Sequence, residues 1–372
     1  MIRIDVRPRD DFQAIVESQG LIWHTAEQPY WHESACYVFT EDQIATIERA
    51  TSDLHQMFVK AGEHLVANPD LLTLYFDIPE AFIPAIIASW NDEGTKMLNY
   101  GRFDLGFDGN GVPKLFEYNC DTPTSMLEAG VIQWLWKEDV FPDNDQFNAL
   151  HERMVDAYRR LGVKNMHFAG IQDDAGEDAV TIGYHMDLAA EAGISPSAIM
   201  MQDIGFDSEK NTFVDLSEQP IEFIFKLYPW EWLVEEEFGK HILEADTVWI
   251  EPIWKMIWSN KAILPILWQL FPNHPLLLEA SFSPLHGDHV VKPTLAREGA
   301  NITIHRGFEK IETQGIYEGR KVYQRLYDLP CFDGLYPVIG SWCVDGWAAG
   351  IGIREAGLIT DNKARFTPHI IG

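Results

Sequence analysis

Hydrophobic positions along the chain change period several times, and each change marks an element. Thr40-Glu-Asp-Gln43 is a capping-box start, and Ile44, Ile47, Leu54, Phe58 and Leu65 follow at helical spacing, which predicts one long helix. Residues 80–98, opened by Pro79, read as a second helix. Residues 100–119 alternate instead. Asn110-Gly111 is the preferred two-residue turn of a tight hairpin, because both positions need φ > 0. Centred there, Asp104 falls opposite Glu117 and Arg102 opposite Asn119. Paired residues share a face and successive ones alternate. One side therefore carries a guanidinium, two carboxylates and an amide, while Phe103, Leu105, Phe116 and Tyr118 point the other way.

Beyond the hairpin, a helix is expected from near Thr124 through Trp136, with Ser125 and Glu128 as a second capping box. Residues 143–162 form another helix. Strand-like runs at 166–171 and 198–201 flank a helix at 178–192 that ends at Gly193, a β-α-β unit of a parallel sheet. Strands follow at 212–216 and 221–227. Tyr228-Pro-Trp-Glu-Trp232 then interrupts the pattern with a polar Glu231 among aromatics. Residues 262–271 read as an apolar helix, strands at 290–293 and 301–304 enclose a glycine-containing loop, and 321–327 alternates as a strand. A last hairpin, 335–353, turns about Asp345-Gly346, and a short tail follows Arg354. Residues 1–40, with Trp23, Tyr30, Trp31, Tyr37 and Phe39, read as an irregular aromatic arm packed on the body.

At 372 residues the chain exceeds one ordinary core, so two or three interwoven subdomains are expected. A hydrophobic content of 46% with 23% charged residues places it among folded, water-soluble proteins. The net charge of −29 opposes a nucleic-acid backbone or an anionic membrane as the main partner. Anionic ligands then need local cations, which draws attention to each well-placed Lys and Arg. Cys36, Cys120, Cys331 and Cys343 lack metal-type or disulfide-framework spacing, and the N-terminus has no apolar leader, which together point to the cytoplasm.

The candidate chemistry sits on that charge background. Three oxygen-bearing side chains on one ribbon suit magnesium, which takes carboxylate oxygen and leaves room for substrate phosphates; a salt-bridged, solvated face is the other reading of the same pattern. A helix start near Thr124 offers free N–H groups to an anion. Lys261 lies where a helix dipole disfavours a cation, which an anionic partner would offset; a flexible, solvated lysine is the other reading of the position. Lys292, Arg297 and Gly299 lie on a strand–loop–strand that resembles a flap folded over phosphates, or else a plain hairpin with exposed charges.

Five blocks in order carry a resemblance across nearly the whole chain: Arg-Phe-Asp…Phe-Glu-Tyr-Asn-Cys-Asp-Thr-Pro-Thr, Ser-Asn-Lys-Ala-Ile-Leu-Pro, Val-Lys-Pro-Thr-Leu-Ala-Arg-Glu-Gly-Ala-Asn-Ile, Val-Tyr-Gln-Arg-Leu and Gly-Ile-Arg-Glu. The chain resembles the synthetase half of the glutathionylspermidine synthetase family, which is similar to trypanothione synthetase and belongs to the ATP-grasp ligases. The resemblance implies a mixed α/β chain: a helical N-terminal part over 1–160 that carries the hairpin, a Rossmann-like pre-ATP-grasp β-α-β subdomain over 161–227, and an ATP-grasp nucleotide-binding domain over 228–372.

It also implies roles. Asp104, Glu117 and Asn119 correspond to magnesium ligands. Arg102 lies near both nucleotide and acid substrate, and Arg354 corresponds to an arginine that stabilises the transition state. Thr122, Thr124 and Glu231 correspond to contacts with the peptide substrate. Lys261 and Lys292 correspond to the nucleotide-binding lysines, and Arg297, Glu298 and Gly299 to the phosphate flap. Gln324, Arg325, Leu326 and Tyr327 correspond to the adenine hinge, and Leu358, Ile359 and Thr360 to a second nucleotide contact. The implied reaction is ATP- and Mg2+-dependent amide formation through an acyl-phosphate, with glutathione or another small peptide as the acid and a polyamine as the amine. An ATP-binding member without ligase activity, acting in an assembly, is the alternative. Departures are also visible: Val338 replaces a polar residue near the nucleotide, Glu298 replaces a flap cysteine, and the chain leaves no room for the cysteine amidase domain of the bifunctional members.

Overall fold

The computed structural model describes residues 1–25, 29–173, 176–361 and 364–372. It is a mixed α/β fold built around an antiparallel sheet in the strand order Arg365–Thr367, Trp347–Ala356, Tyr336–Val344, Tyr100–Gly106, Lys114–Asn119. The expected register holds: Arg102 pairs with Asn119, and Asp104 with Glu117. Asp345 and Gly346 both have positive φ, as a two-residue hairpin turn requires.

The long helix, Glu41–Ala67, covers one face of this sheet. Its capping box is present, with Gln43 N donating to Thr40 Oγ1 at 3.3 Å and Thr40 N donating to Gln43 Oε1 at 3.0 Å. Phe58 on that helix packs edge-on against both Phe103 and Tyr118, which are themselves stacked at 3.7 Å. The opposite face meets the chain that follows the hairpin, where Gln133 Nε2 donates to Ile351 O at 2.7 Å. Arg102 lies on this second face, its guanidinium 5.8 Å from the Trp342 ring centroid.

Two further sheets flank the first. A parallel sheet, ordered Val248–Ile250, Phe223–Lys226, Asn165–Gly170, Ser195–Met200, contains the expected β-α-β unit with helix Glu177–Glu191 as its crossover. An antiparallel sheet, ordered Ala280–Ser281, Lys321–Arg325, His289–Pro293, Thr303–Arg306, Glu309–Glu312, stands across from the hairpin.

Several local expectations are corrected. The hairpin loop runs over 107–113, and Asn110 does not take positive φ; Gly109 and Gly111 do, with Asp108 Oδ1 accepting from Asn110 N. A bulge beyond Asp104 lets Leu115 pair with Leu105, so Leu115 is buried and Phe116 is turned toward the cleft. Residues 1–40 are not an irregular arm: Ile2–Asp5 and Ala35–Phe39 form a small sheet with His369–Ile371 from the supposed tail. That pairing joins the two ends of the chain, so nothing local in the sequence announces it. The helices expected at 80–98 and 143–162 are shorter, at Ile83–Asn91 and Leu150–Leu161. The four cysteines are free, with Cys36, Cys120 and Cys343 buried. Among the described residues, no helix is long and apolar enough to cross a membrane.

Candidate functional site

A cleft of about 300 Å³ opens between the hairpin and the sheet that carries Lys292 and Gln324. The hairpin strand Lys114–Asn119 is the edge of its own sheet, and an edge leaves backbone groups unpaired. Here the facing sheet takes them. Lys292 Nζ donates to Phe116 O at 3.1 Å, and Gln324 Nε2 donates to Leu115 O at 3.0 Å. Lys292 Nζ also donates to Gln324 Oε1 at 2.8 Å, and it lies 5.8 Å from the Phe116 ring. Candidate nucleotide residues thus also bind the two sheets together.

The floor is a dense array of opposite charges. Asp104 accepts from Arg102 Nε at 2.8 Å and from Arg354 Nη2 at 2.7 Å. Arg102 is locked further by donating from Nη1 to Thr124 O at 2.6 Å. Gly340, opposite Asp104, leaves room for that arginine: a Cβ there would meet Arg102 Cδ at 2.6 Å. Glu117 faces Lys261 at 3.3 Å, which supplies the anionic neighbour that Lys261 needs. Asn119 Nδ2 reaches Asp104 Oδ2 at 3.2 Å and Glu117 Oε1 at 3.4 Å, so the three oxygen-bearing side chains form one contiguous group.

Protonation follows from these contacts. Burial works to raise the Glu117 carboxyl, but Lys261 and then Lys292 outweigh it and bring it down to about 2. Burial lowers the Lys292 ammonium to about 8 against the opposing pull of Glu117. Burial opposes charge on Arg102 too, yet Asp104 holds it more firmly protonated than a free arginine. Arg354 is shifted the other way, by burial and by the nearby Arg102.

Asp104, Glu117, Asn119, Arg102, Arg354, Thr122, Thr124, Lys261, Lys292, Arg297, Glu298, Gly299, the stretch 324–327 and the stretch 358–360 all line this one cleft, as does Val338. Glu231 does not. It lines a smaller neighbouring cavity of about 220 Å³ and is joined to the cleft through Arg297, whose Nη2 donates to Glu231 Oε1 at 2.6 Å. Arg297 Nη1 donates to Thr122 Oγ1 at 2.9 Å, so this arginine bridges Thr122 and Glu231. Glu298 and Gly299 both have positive φ, and a Cβ on Gly299 would meet Thr360 O at 2.5 Å, which fits the flap closely onto 358–361.

The sequence did not single out Tyr30, Phe116 or Glu177, which also line the cleft. Glu128 does not close a capping box with Ser125. It accepts from Tyr30 OH at 2.5 Å, and the backbone of Ser125 has positive φ. The helix still begins next to the hairpin, with a π-helical turn at Glu128–Ile132. Tyr30 had no signal because it comes from the aromatic stretch read as an arm. Glu177 and Phe116 reach the cleft through the crossover geometry and the bulge, which the local sequence pattern did not reveal.

Comparison with known proteins agrees with this architecture. The family model for glutathionylspermidine synthase preATP-grasp matches residues 3–372. A putative acid–amine ligase of Haemophilus influenzae is 41% identical over 91% of this chain and 90% of its own length. Trypanothione synthetase of Crithidia fasciculata is 30% identical over 82% of this chain, and the bifunctional glutathionylspermidine synthetase/amidase of Escherichia coli is 28% identical over 96%. The alignments cover 51% and 62% of those two longer proteins. Among solved structures, a glutathione synthetase-like effector from Globodera pallida shares the fold, with a TM-score of 0.59 at 10% identity over 97% of this chain and 96% of that one. The chain belongs to the glutathionylspermidine synthetase family, with the ATP-grasp type of fold.

Proposed function

We propose that the protein is an ATP- and magnesium-dependent ligase that joins a small acid to an amine. The observation that carries the reading is the floor of the cleft, where two carboxylates and an amide on one ribbon face Lys261, Lys292, Arg102 and Arg354. The donor set fits magnesium: hard oxygen groups on adjacent strand positions, already within hydrogen-bond reach of one another through Asn119. Held by Asp104, Glu117 and Asn119, the metal would supply charge neutralisation for nucleotide phosphates.

The chain's own residues do the rest. Lys261, Lys292 and the flap at 297–299 meet the phosphates, residues 324–327 the adenine, and 358–360 the remaining face of the nucleotide. The acid lies toward Thr122, Thr124 and Glu231. Its carboxylate attacks the γ-phosphate, ADP leaves, and an acyl-phosphate forms. Arg102 and Arg354 stabilise the charge that builds on the transferring group, an electrostatic and positioning role. The amine then attacks the acyl carbon, loses its proton and expels phosphate, which leaves an amide.

The names of the relatives point to glutathione or a similar peptide as the acid and to a polyamine as the amine. The net charge of −29 supports a cationic amine, because a negative field raises its local concentration. The test is a phosphate-release screen of glutathione and other small peptides, each crossed with diamines, spermidine and amino acids. The reading expects release with Mg-ATP only when an acid and an amine are both present. Nucleotide binding with no release from any pair would instead show a binding protein without ligase activity.

A further inference from the structure

Two residues beyond the metal-site strand, Asp121 is buried with a partner from another sheet. Its Oδ1 accepts from Lys226 Nζ at 2.5 Å, and its Oδ2 accepts from Trp230 N at 2.8 Å. Lys226 is fully buried at the end of strand Phe223–Lys226, and its Nζ also donates to Tyr228 O at 3.0 Å. The same ammonium lies 4.7 Å from the Trp230 ring, and Trp230 Nε1 donates to Glu251 O at 3.0 Å.

The pair acts on its neighbours in the chain. Thr122 follows Asp121, and Glu231 follows Trp230. These two are the acceptors of the Arg297 guanidinium, at 2.9 and 2.6 Å. A guanidinium is a planar fork with fixed nitrogen spacing, so its two acceptors must be held at a matching separation. Thr122 and Glu231 come from segments far apart in sequence. Asp121 bonds to both segments at once, through its own backbone and through Trp230 N. A buried ion pair is a poor way to gain stability, since a packed apolar pair of the same volume does as well or better, while a fixed register is a use such pairs do have.

We infer that Asp121, through its buried pair with Lys226, is a positioning residue that sets the spacing of Thr122 and Glu231 and so docks Arg297 of the flap on the acid-binding side of the cleft. This rests on the ligase reading for its kinetic consequence but not for its structural one. Asp121 touches no reacting atom. A flap held this way is coupled to the acid subsite, so loosening the pair weakens acid binding more than nucleotide binding, since Lys261, Lys292 and Gln324 keep their places when the flap loosens.

Asp121→Ala alone strands the Lys226 charge, so the full chain is compared with the double variant Asp121→Ala/Lys226→Met. Asp121→Asn/Lys226→Met, which keeps an acceptor for Trp230 N, is measured alongside it. In the free protein, amide exchange over 228–233 and over the flap at 294–301 should quicken by about tenfold in the first variant, less in the second, with the long helix unchanged. In the phosphate-release assay, KM for the acid should rise by about tenfold or more and KM for ATP by severalfold less, because the flap is only one of several phosphate contacts. Unchanged flap exchange, an equal rise in both KM values, or failure of both variants to fold would overturn the inference, the last by showing that the pair carries the fold itself. If the wild-type protein released phosphate with no acid–amine pair, the ligase reading would fall, and the exchange measurement would still decide the role of Asp121.

Discussion

Asp104 and Glu117 stand on paired strands of a five-stranded sheet, on the face opposite the stacked Phe103–Tyr118 pair and the long helix packed against it. Arg297, Glu298 and Gly299, across the cleft, stand on a connection between two strands and are held by side-chain bonds. Those bonds run from Arg297 to Thr122 and Glu231, and from Thr313 Oγ1 to Gly299 O at 2.5 Å. One wall belongs to the cooperative core, and the other depends on a few polar contacts and on positive φ at Glu298, Gly299 and Asn301. The difference suits the proposed ligase, whose site would hold a metal in fixed geometry yet admit and release a nucleotide.

The largest expected effect breaks the rigid wall at its charges. Glu117→Ala leaves Lys261 and Lys292 facing each other without their carboxylate, and Arg354→Ala removes the cation that the proposed mechanism sets at the transferring group. Each should lower ADP release by about 10²–10³-fold or more, read in a steady-state coupled assay with wild type as reference.

Next come two glycines, one in each wall. Gly340→Ala sets a Cβ against Arg102 Cδ at 2.6 Å inside the sheet. It should cost about 1–3 kcal/mol by overpacking, so denaturant unfolding and ADP release should fall together. Gly299→Ala meets Thr360 O and an unfavourable φ in the flap. Activity should fall while the global unfolding midpoint hardly moves, because the flap lies outside the core that unfolding reports. Equal stability losses in the two variants would show that the walls are not different in kind.

A pH series sharpens the same contrast. The Glu117 carboxyl is lowered from 4.5 to about 2, so its contribution to stability is present above pH 4.5 and is lost as pH falls toward 2. Lys292 is lowered from 10.5 to about 8, so the cost of burying its charge is present below pH 8 and lifts as pH rises toward 10.5. Unfolding free energy measured against pH should show both limbs. Glu117→Gln should flatten the acid limb and Lys292→Met the alkaline one.

The smallest effect is expected at Cys120, which lies next to Asn119 but is buried, with burial holding its thiol well above the usual range. Cys120→Ala should leave ADP release unchanged, and a thiol reagent should reach Cys120 only on unfolding. Loss of activity with unchanged stability would give Cys120 a chemical role that its burial argues against.

The same contrast governs how much could be read from the sequence. The register of Arg102 with Asn119 and of Asp104 with Glu117 follows from local alternation, as do the Thr40–Gln43 box and the Asp345-Gly346 turn. The bulge that turns Phe116 into the cleft was not legible, since one extra residue in a strand leaves no compositional mark. The pairing of 35–39 with 369–371 was missed because it joins the ends of the chain. Arg297 shows a third limit. Its motif points to phosphate, but its partners are Thr122 and Glu231, and only the packing of separate segments brings those two together.

The central claim is that an acid carboxylate in this cleft takes the γ-phosphate of ATP before the amine arrives. The most direct test uses the acid found in the screen with heavy oxygen in its carboxylate, incubated with Mg-ATP and the amine. Acyl-phosphate chemistry transfers the label to the released phosphate, visible by mass spectrometry at every turnover. Amide product formed with unlabelled phosphate would contradict the account.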